Sequence, residues 1–187
     1  MAAGPSFNVA DPAGALLGEG PVWLAEEGAV YWVDIKSGVL NRYRLEDGAV
    51  RRWQVAEHLA WVVPRRDGPG FVAGTRQEIG ILRVDALEAV FEPRVAVAEP
   101  HPDNRLNDAK ADHQGTIWFG TMDNAEQAGT GGFYRLAEDF SFVLADHGYV
   151  VANGPTTSPD NQVIYHTDSA ARTVYRFTRD GSTGSVV

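Results

Sequence analysis

Three short stretches of this 187-residue chain concentrate oxygen-bearing and cationic side chains among glycine and proline. They are Leu17-Gly18-Glu19-Gly20-Pro21, Asn104-Arg105-Leu106-Asn107-Asp108 and Val151-Ala152-Asn153-Gly154-Pro155. Brought together, Glu19, Asn107 and Asn153 would offer one carboxylate and two carboxamides. Those are hard oxygen ligands, suited to Ca2+, Mg2+, Mn2+ or another oxygen-tolerant divalent cation. Arg105 beside them would hold an anionic or hydroxylated molecule through its planar fork. Each residue also has a plainer reading. Glu19 could be a solvated loop carboxylate, and Asn153 a left-handed turn residue before glycine. Arg105 could pair on the surface with Asp103 or Asp108, and Asn107-Asp108 could simply form a turn. The histidines at positions 58, 101, 113, 147 and 166 show no metal-ligand spacing. Cysteine is absent, which excludes disulfides and thiolate zinc sites.

What must position these stretches is a set of strands. Short apolar or alternating runs bounded by Gly, Asp, Asn and Pro dominate, and helical periodicity is almost missing. Four of them recur: Ala29 to Val33, Gly70 to Gly74, Thr116 to Gly120 and Val163 to His166. Trp32, Phe71, Trp118 and Tyr165 mark them at intervals of about 40 to 47 residues, a propeller-blade period. A loop and strand precede each run, a Gly- or Asn-containing turn opens it, and a half-buried third strand follows. That third strand is clearest at Gly38 to Arg44, Gly132 to Leu136 and Arg172 to Phe177. A repeated three-to-four-strand meander predicts an all-β fold, a β-propeller with about four blades in this chain. Pro93 to Pro102 reads as an inter-blade loop, so residues 1–187 form one domain. The polar stretches would then lie where the innermost strands begin, lining the central channel. The tryptophans read as inter-blade packing, with Trp61 at a blade start open to a second role in sugar stacking.

Composition narrows the partners. Sixteen basic against 25 acidic residues give a formal charge of −9, a surface that repels nucleic-acid phosphates and anionic lipids. No run of about 18 apolar residues suggests a membrane span. Met1 to Asn8 lacks a basic-then-apolar leader, so a cytoplasmic protein is expected.

At this point the motifs resemble a known family. Gly18-Glu19-Gly20-Pro21-Val22-Trp23, Tyr31-Trp32-Val33-Asp34-Ile35, Arg105-Leu106-Asn107-Asp108 and Gly120-Thr121-Met122 are similar to the senescence marker protein/regucalcin/gluconolactonase family. So is Asn153-Gly154, followed by Ser158-Pro159-Asp160 and Tyr165-His166-Thr167-Asp168-Ser169. The resemblance spans Leu17 to about Asp180. It implies a six-bladed propeller with one divalent cation in the channel (Ca2+, Zn2+, Mn2+ or Mg2+) and a sugar lactone as the small-molecule substrate. Carried over residue by residue, it makes Glu19 and Asn153 metal ligands and Arg105, Asn107 and Asp123 substrate-binding residues. Asp34 and Asp168 are expected instead to cap backbone amides in loops.

The resemblance also carries an expectation about what is missing. The family's third protein ligand, an Asp doubling as general base, is expected beyond Val187, and Asp160 reads as a hairpin turn facing away from the channel. No catalytic residue is therefore assigned within the chain, and the domain is expected to be incomplete at its C-terminus. The implied activity is opening of an aldonolactone to the aldonic acid. The alternative is a non-catalytic, calcium- or ligand-binding propeller of regucalcin type. Four blades cannot close a six-blade ring, so self-association through open blade edges is expected, with Phe7-Asn8-Val9 left without a partner strand.

Overall fold

The computed structural model describes residues 7–99, 101–180 and 186. Among these residues, fifteen strands make four antiparallel sheets arranged in chain order, each a meander in which neighbours in sequence are neighbours in the sheet. The first sheet holds β1 (Gly18–Leu24), β2 (Ala29–Asp34), β3 (Val39–Arg44) and β4 (Val50–Gln54). The second holds β5 (Trp61–Pro64), β6 (Phe71–Gly74), β7 (Glu78–Val84) and β8 (Ala89–Ala96). The third holds β9 (Asn104–Ala111), β10 (Ile117–Asp123), β11 (Gly131–Leu136) and β12 (Phe142–Tyr149), and the fourth β13 (Ala152–Thr157), β14 (Val163–Asp168) and β15 (Thr173–Thr178). A single 3-10 turn, Ala25–Glu27, is the only helical element among the described residues, so none of them lies in a helix long and apolar enough to cross a membrane.

The sheets are the blades of a propeller, and the innermost strands β1, β5, β9 and β13 contact one another in succession. Apolar side chains fill each gap between neighbouring blades. Tyr31, Val33, Leu40, Trp53, Val62 and Phe71 close the first gap. Trp61, Ile79, Leu106, Ile117, Phe119 and Tyr134 close the second, and Trp118, Phe133, Tyr149, Ala152 and Ile164 the third. Burial of such large side chains, at roughly 1.5–3 kcal/mol each, is what makes adjacent blades one body. Close approach is built in by glycine: a Cβ on Gly74 would meet the Trp61 indole at 2.4 Å, and one on Gly120 would meet the Ala152 Cβ at 2.7 Å.

Three sequence expectations need correction. The segment from Pro93 onward is not wholly a loop, because β8 continues through Pro93 to Ala96 as an outer strand, with a register shift between Ile79 and Gly80 where Pro93 sits. Proline is tolerated there because an edge strand leaves its N–H side unpaired. Of the four markers Trp32, Phe71, Trp118 and Tyr165, the first and third are one residue off, because the positions equivalent to Tyr165 are Tyr31 and Phe119. Each of these three faces the residue just after an identical bulge, Val22 in β1, Ala109 in β9 and Thr156 in β13. A one-residue slip exchanges the two faces of a strand, and spacing alone cannot resolve it. Trp61 is 1% exposed and packs 6.4 Å from Phe119, so it belongs to the blade interface and offers no stacking platform.

Candidate functional site

The bulges explain how the polar stretches reach one end of the inner strands. In β1, three steps from Val22 to Glu19 oppose two from Tyr31 to Val33. The same three-against-two register recurs between Thr156 and Asn153 and between Ala109 and Leu106. Glu19 and Asn153 therefore occupy the same register position in the first and fourth blades, and Asn107-Asp108 occupies the bulge itself in the third. A bulge re-aims side chains locally, which places them at the mouth and not along the sheet. The second blade has no such bulge between β5 and β6, and its mouth residues Leu59, Ala60 and Trp61 are buried and apolar.

Glu19 is exposed, and its carboxylate has no hydrogen-bond partner among the described residues. Asn153 does not adopt the left-handed conformation; its Nδ2 donates to Ser169 Oγ at 3.2 Å, which leaves Oδ1 uncommitted. These two oxygen donors fit a hard divalent cation completed by water or ligand oxygens. No group of three or more His, Cys, Asp or Glu side chains that could hold a metal occurs among the described residues.

Arg105 is not a surface ion pair. It is 2% exposed, and its donors go to neutral oxygens: Nε to Asn124 Oδ1 at 3.1 Å, Nη1 to the Leu106 carbonyl at 3.1 Å and to Asn107 Oδ1 at 2.9 Å. Burial lowers its pKa, opposed by the field of Glu126 and reinforced by that of Arg76. Asn107 in turn donates Nδ2 to the Ala152 carbonyl at 2.8 Å, so one carboxamide ties the third blade to the fourth and fixes the guanidinium. Asp108 accepts from Gly154 N at 2.9 Å and Ala109 N at 2.8 Å, a second tie between those blades. Burial nonetheless raises its carboxyl above the ordinary range.

Asp123 is turned inward on its own loop. Its carboxylate accepts from the N–H groups of Ala125, Gln127 and Ala128, and these bonds hold it below the usual carboxylate range. Asp34 and Asp168 do the capping expected of them. Asp34 accepts from Leu16 N and Leu17 N, and Asp168 from Val150 N and Val151 N. In both, these bonds outweigh burial and lower the pKa. Asp160 lies in the exposed turn between β13 and β14, bonded to Ser158 Oγ and Gln162 N.

Three residues that the sequence did not single out as site residues also stand at the mouth. Leu59 N donates to the Ile35 carbonyl at 3.2 Å, which sets His58 beside Lys36. Leu106 N donates to the Arg76 carbonyl at 2.9 Å, which sets Arg76 beside Arg105. Lys36 and Arg76 are ordinary loop residues with no local signature, and His58 lacked a partner in sequence; only the approach of three blades brings them together.

A family model described as SMP-30/Gluconolactonase/LRE-like region matches residues 17–187. The chain is 36% identical over 174 residues to pentonolactonase XacC of Haloferax volcanii, covering 91% of this chain and 56% of that protein. It is 31% identical to the 6-deoxy-6-sulfogluconolactonase of Pseudomonas putida (89% of this chain, 56% of that protein) and 30% identical to the regucalcin of Danio rerio (91% and 57%). Among solved structures, a luciferin-regenerating enzyme matches with a TM-score of 0.85 at 32% identity, over 92% of this chain and 59% of that one. A calcium-binding regucalcin from Agrobacterium tumefaciens shares the fold with a TM-score of 0.84 at 23% identity, over 96% and 59%. The chain thus spans little more than half the length of the curated relatives it matches.

Proposed function

The chain belongs to the SMP-30/gluconolactonase/LRE-like family, and on that premise we propose that its channel mouth is the binding half of a divalent-metal-dependent sugar lactonase. The reading is supported by one observation above others: the bulges of the first and fourth blades put Glu19 and Asn153 at the same register position, with Arg105 and Asn107 between them in the third. Relatives named pentonolactonase, 6-deoxy-6-sulfogluconolactonase and L-arabinolactonase point to sugar lactones as the substrate class.

In this reading Glu19 and Asn153 would hold the cation. Bound there, it would supply Lewis-acid polarisation of a lactone carbonyl. The reaction adds water to the carbonyl carbon and breaks the ring ester C–O bond, giving a hydroxy acid. The remaining work falls to this chain's own groups. Arg105, held rigid by Asn107, Leu106 and Asn124, presents a fixed charge to oxygens of the bound sugar. Asn107 orients that guanidinium and has one amide hydrogen and one lone pair left for a ligand. Asp123 holds the β10–β11 loop closed and shapes the wall; contact with substrate hydroxyls through it belongs to the proposal. No residue is assigned as the base.

The test is acid release from several aldonolactones, with Ca2+, Mn2+, Zn2+ or Mg2+ added and with chelator. Metal-dependent hydrolysis by a chimera that joins this chain to the remaining length of a lactonase relative, lost in Arg105→Met, is the expected result; a chimera that hydrolyses no lactone with any metal would end the reading. The regucalcins among the relatives favour a second reading, calcium binding without catalysis. Under it, calorimetric titration shows Ca2+ binding that Glu19→Ala weakens, with no acid released from any lactone.

A further inference from the structure

Arg105 poses an energetic problem. A guanidinium almost wholly withdrawn from water is costly unless an anion offsets it, and no carboxylate pairs with Arg105 among the described residues. Its bonds to carbonyl and carboxamide oxygens satisfy donors but do not neutralise charge. The surroundings add positive charge instead. Backbone hydrogen bonds bring the β2–β3 loop of the first blade, with Lys36, against the linker carrying His58, and the β6–β7 loop carrying Arg76 against β9. Neither Lys36 nor Arg76 has a side-chain partner among the described residues, and the Nε2 of His58 is buried with none. Glu126 is the acidic neighbour whose field reaches Arg105, and it forms no ion pair with it. In a chain of net charge −9, Lys36, Arg76 and Arg105 bring three cations together without an ion-pair partner among the described residues.

We propose that Lys36, His58, Arg76 and Arg105 form a subsite for an anionic substituent of the sugar, a carboxylate, sulfonate or phosphate carried in addition to the lactone ring. The inference rests on the lactonase reading for what the ligand is, and on the four residues alone for its charge. His58 serves as the built-in reporter. Burial, then Arg105 and Arg76, and more weakly Lys36, hold its imidazole down to about 4, against a hydrogen bond to the Leu106 backbone that acts the other way. An anion seated among these groups reverses the local field and raises that value.

The experiment compares sugar acids that differ in their second anionic group. D-gluconate carries only the product carboxylate, D-glucarate adds a second carboxylate, and gluconate 6-phosphate adds a phosphate. Calorimetric titration of the whole chain is expected to give at least one of the two acids with a second anionic group roughly tenfold tighter binding than gluconate, an advantage that shrinks to about two- to threefold in Arg76→Gln. Whichever acid gains identifies the group. The His58 imidazole resonance, followed by NMR against pH, should titrate at higher pH with that acid bound. Equal binding of all three acids, or an advantage unchanged in both Arg76→Gln and Lys36→Gln with His58 unmoved, would overturn the proposal. That outcome is separate from the lactonase reading, which hydrolysis of a neutral aldonolactone decides by itself.

Discussion

Arg179 and Arg105 are both withdrawn from solvent, near opposite ends of β9, and they are treated in opposite ways. Arg179, on the fourth blade, reaches Asp112 just after β9 with an Nη1–Oδ2 distance of 2.8 Å and gives Nη2 to Gln114 Oε1 at 2.8 Å. Asp112 is itself fully satisfied, accepting from Gln114 N, Thr116 N and Trp118 Nε1. That is an ion pair between two blades, Nη1 lying close to the carboxylate without a hydrogen bond to it. Arg105, at the strand's other end, is held as firmly but by neutral groups, with other cations for company. The difference teaches where to look for a ligand: a buried charge that the chain neutralises is architecture, and one that it leaves over is a receptor.

The largest effect that would sharpen this contrast is removal of Asp112. Asp112→Ala leaves Arg179 buried without its counter-charge and should cost about 3–5 kcal/mol in a urea melt. A loss under 1 kcal/mol would make the ion pair an incidental contact and dissolve the comparison.

A third buried basic group sets the intermediate scale. His166 is 0% exposed, stacked on Phe133 at 4.3 Å and edge-on to Tyr149 at 4.5 Å, with neither ring nitrogen bonded. Burial depresses its pKa to about 4, although Asp168 and Asp146 act to raise it. The unfolded chain, with an ordinary histidine pKa near 6.5, therefore binds the proton first as pH falls. Stability present above about pH 6.5 is lost progressively down to about pH 4, by up to roughly 3 kcal/mol. His166→Phe should flatten the denaturation midpoint over that window; an undiminished slope would show that other groups carry the acid sensitivity.

Arg105→Met is expected to change stability little, within about 1 kcal/mol, or to raise it, because an uncompensated buried charge is removed from a site of similar volume. The same variant should lose at least tenfold in sugar-acid binding. Destabilisation matching that of Asp112→Ala would mean that Arg105 is structural too.

The smallest effect is at Glu19. Because Glu19 is exposed and unbonded, Glu19→Gln should leave the metal-free unfolding free energy within about 0.5 kcal/mol of the parent. The rise in melting temperature produced by saturating Ca2+ should shrink, since only a ligand bound to the folded state shifts that equilibrium. A Ca2+-induced rise that survives intact would remove Glu19 from the metal site.

Much of the blade pattern was legible because its signals are local. Glycine and asparagine turns and alternating strands recur within each blade, so β2, β6, β10 and β14 could be located from sequence. The outer strands β4, β8 and β12 were less legible. Their solvent-facing residues, such as Arg51 and Val143, carry little apolar contrast, and Pro93 masks β8 as a loop. Glu19, Arg105, Asn107 and Asn153 were singled out by residue type, and with Asp123 were given ligand roles by the family resemblance, but their partners within the chain were not legible. That Asn107 spans two blades, or that the Asp123 carboxylate is spent on three backbone N–H groups, depends on partners the motif does not contain.

Sequence by itself determined the all-β meander, its division into four blades, and the presence of hard oxygen donors and an arginine in three glycine-flanked stretches. Tertiary structure decided which of those groups share a register and which charges are paired. The physical reason is range. Turn and strand preferences are set within a few residues, whereas neutralising a buried charge depends on what arrives from another blade. Arg179 meets a carboxylate 67 positions earlier, at Asp112; Arg105 meets Arg76 and His58 instead.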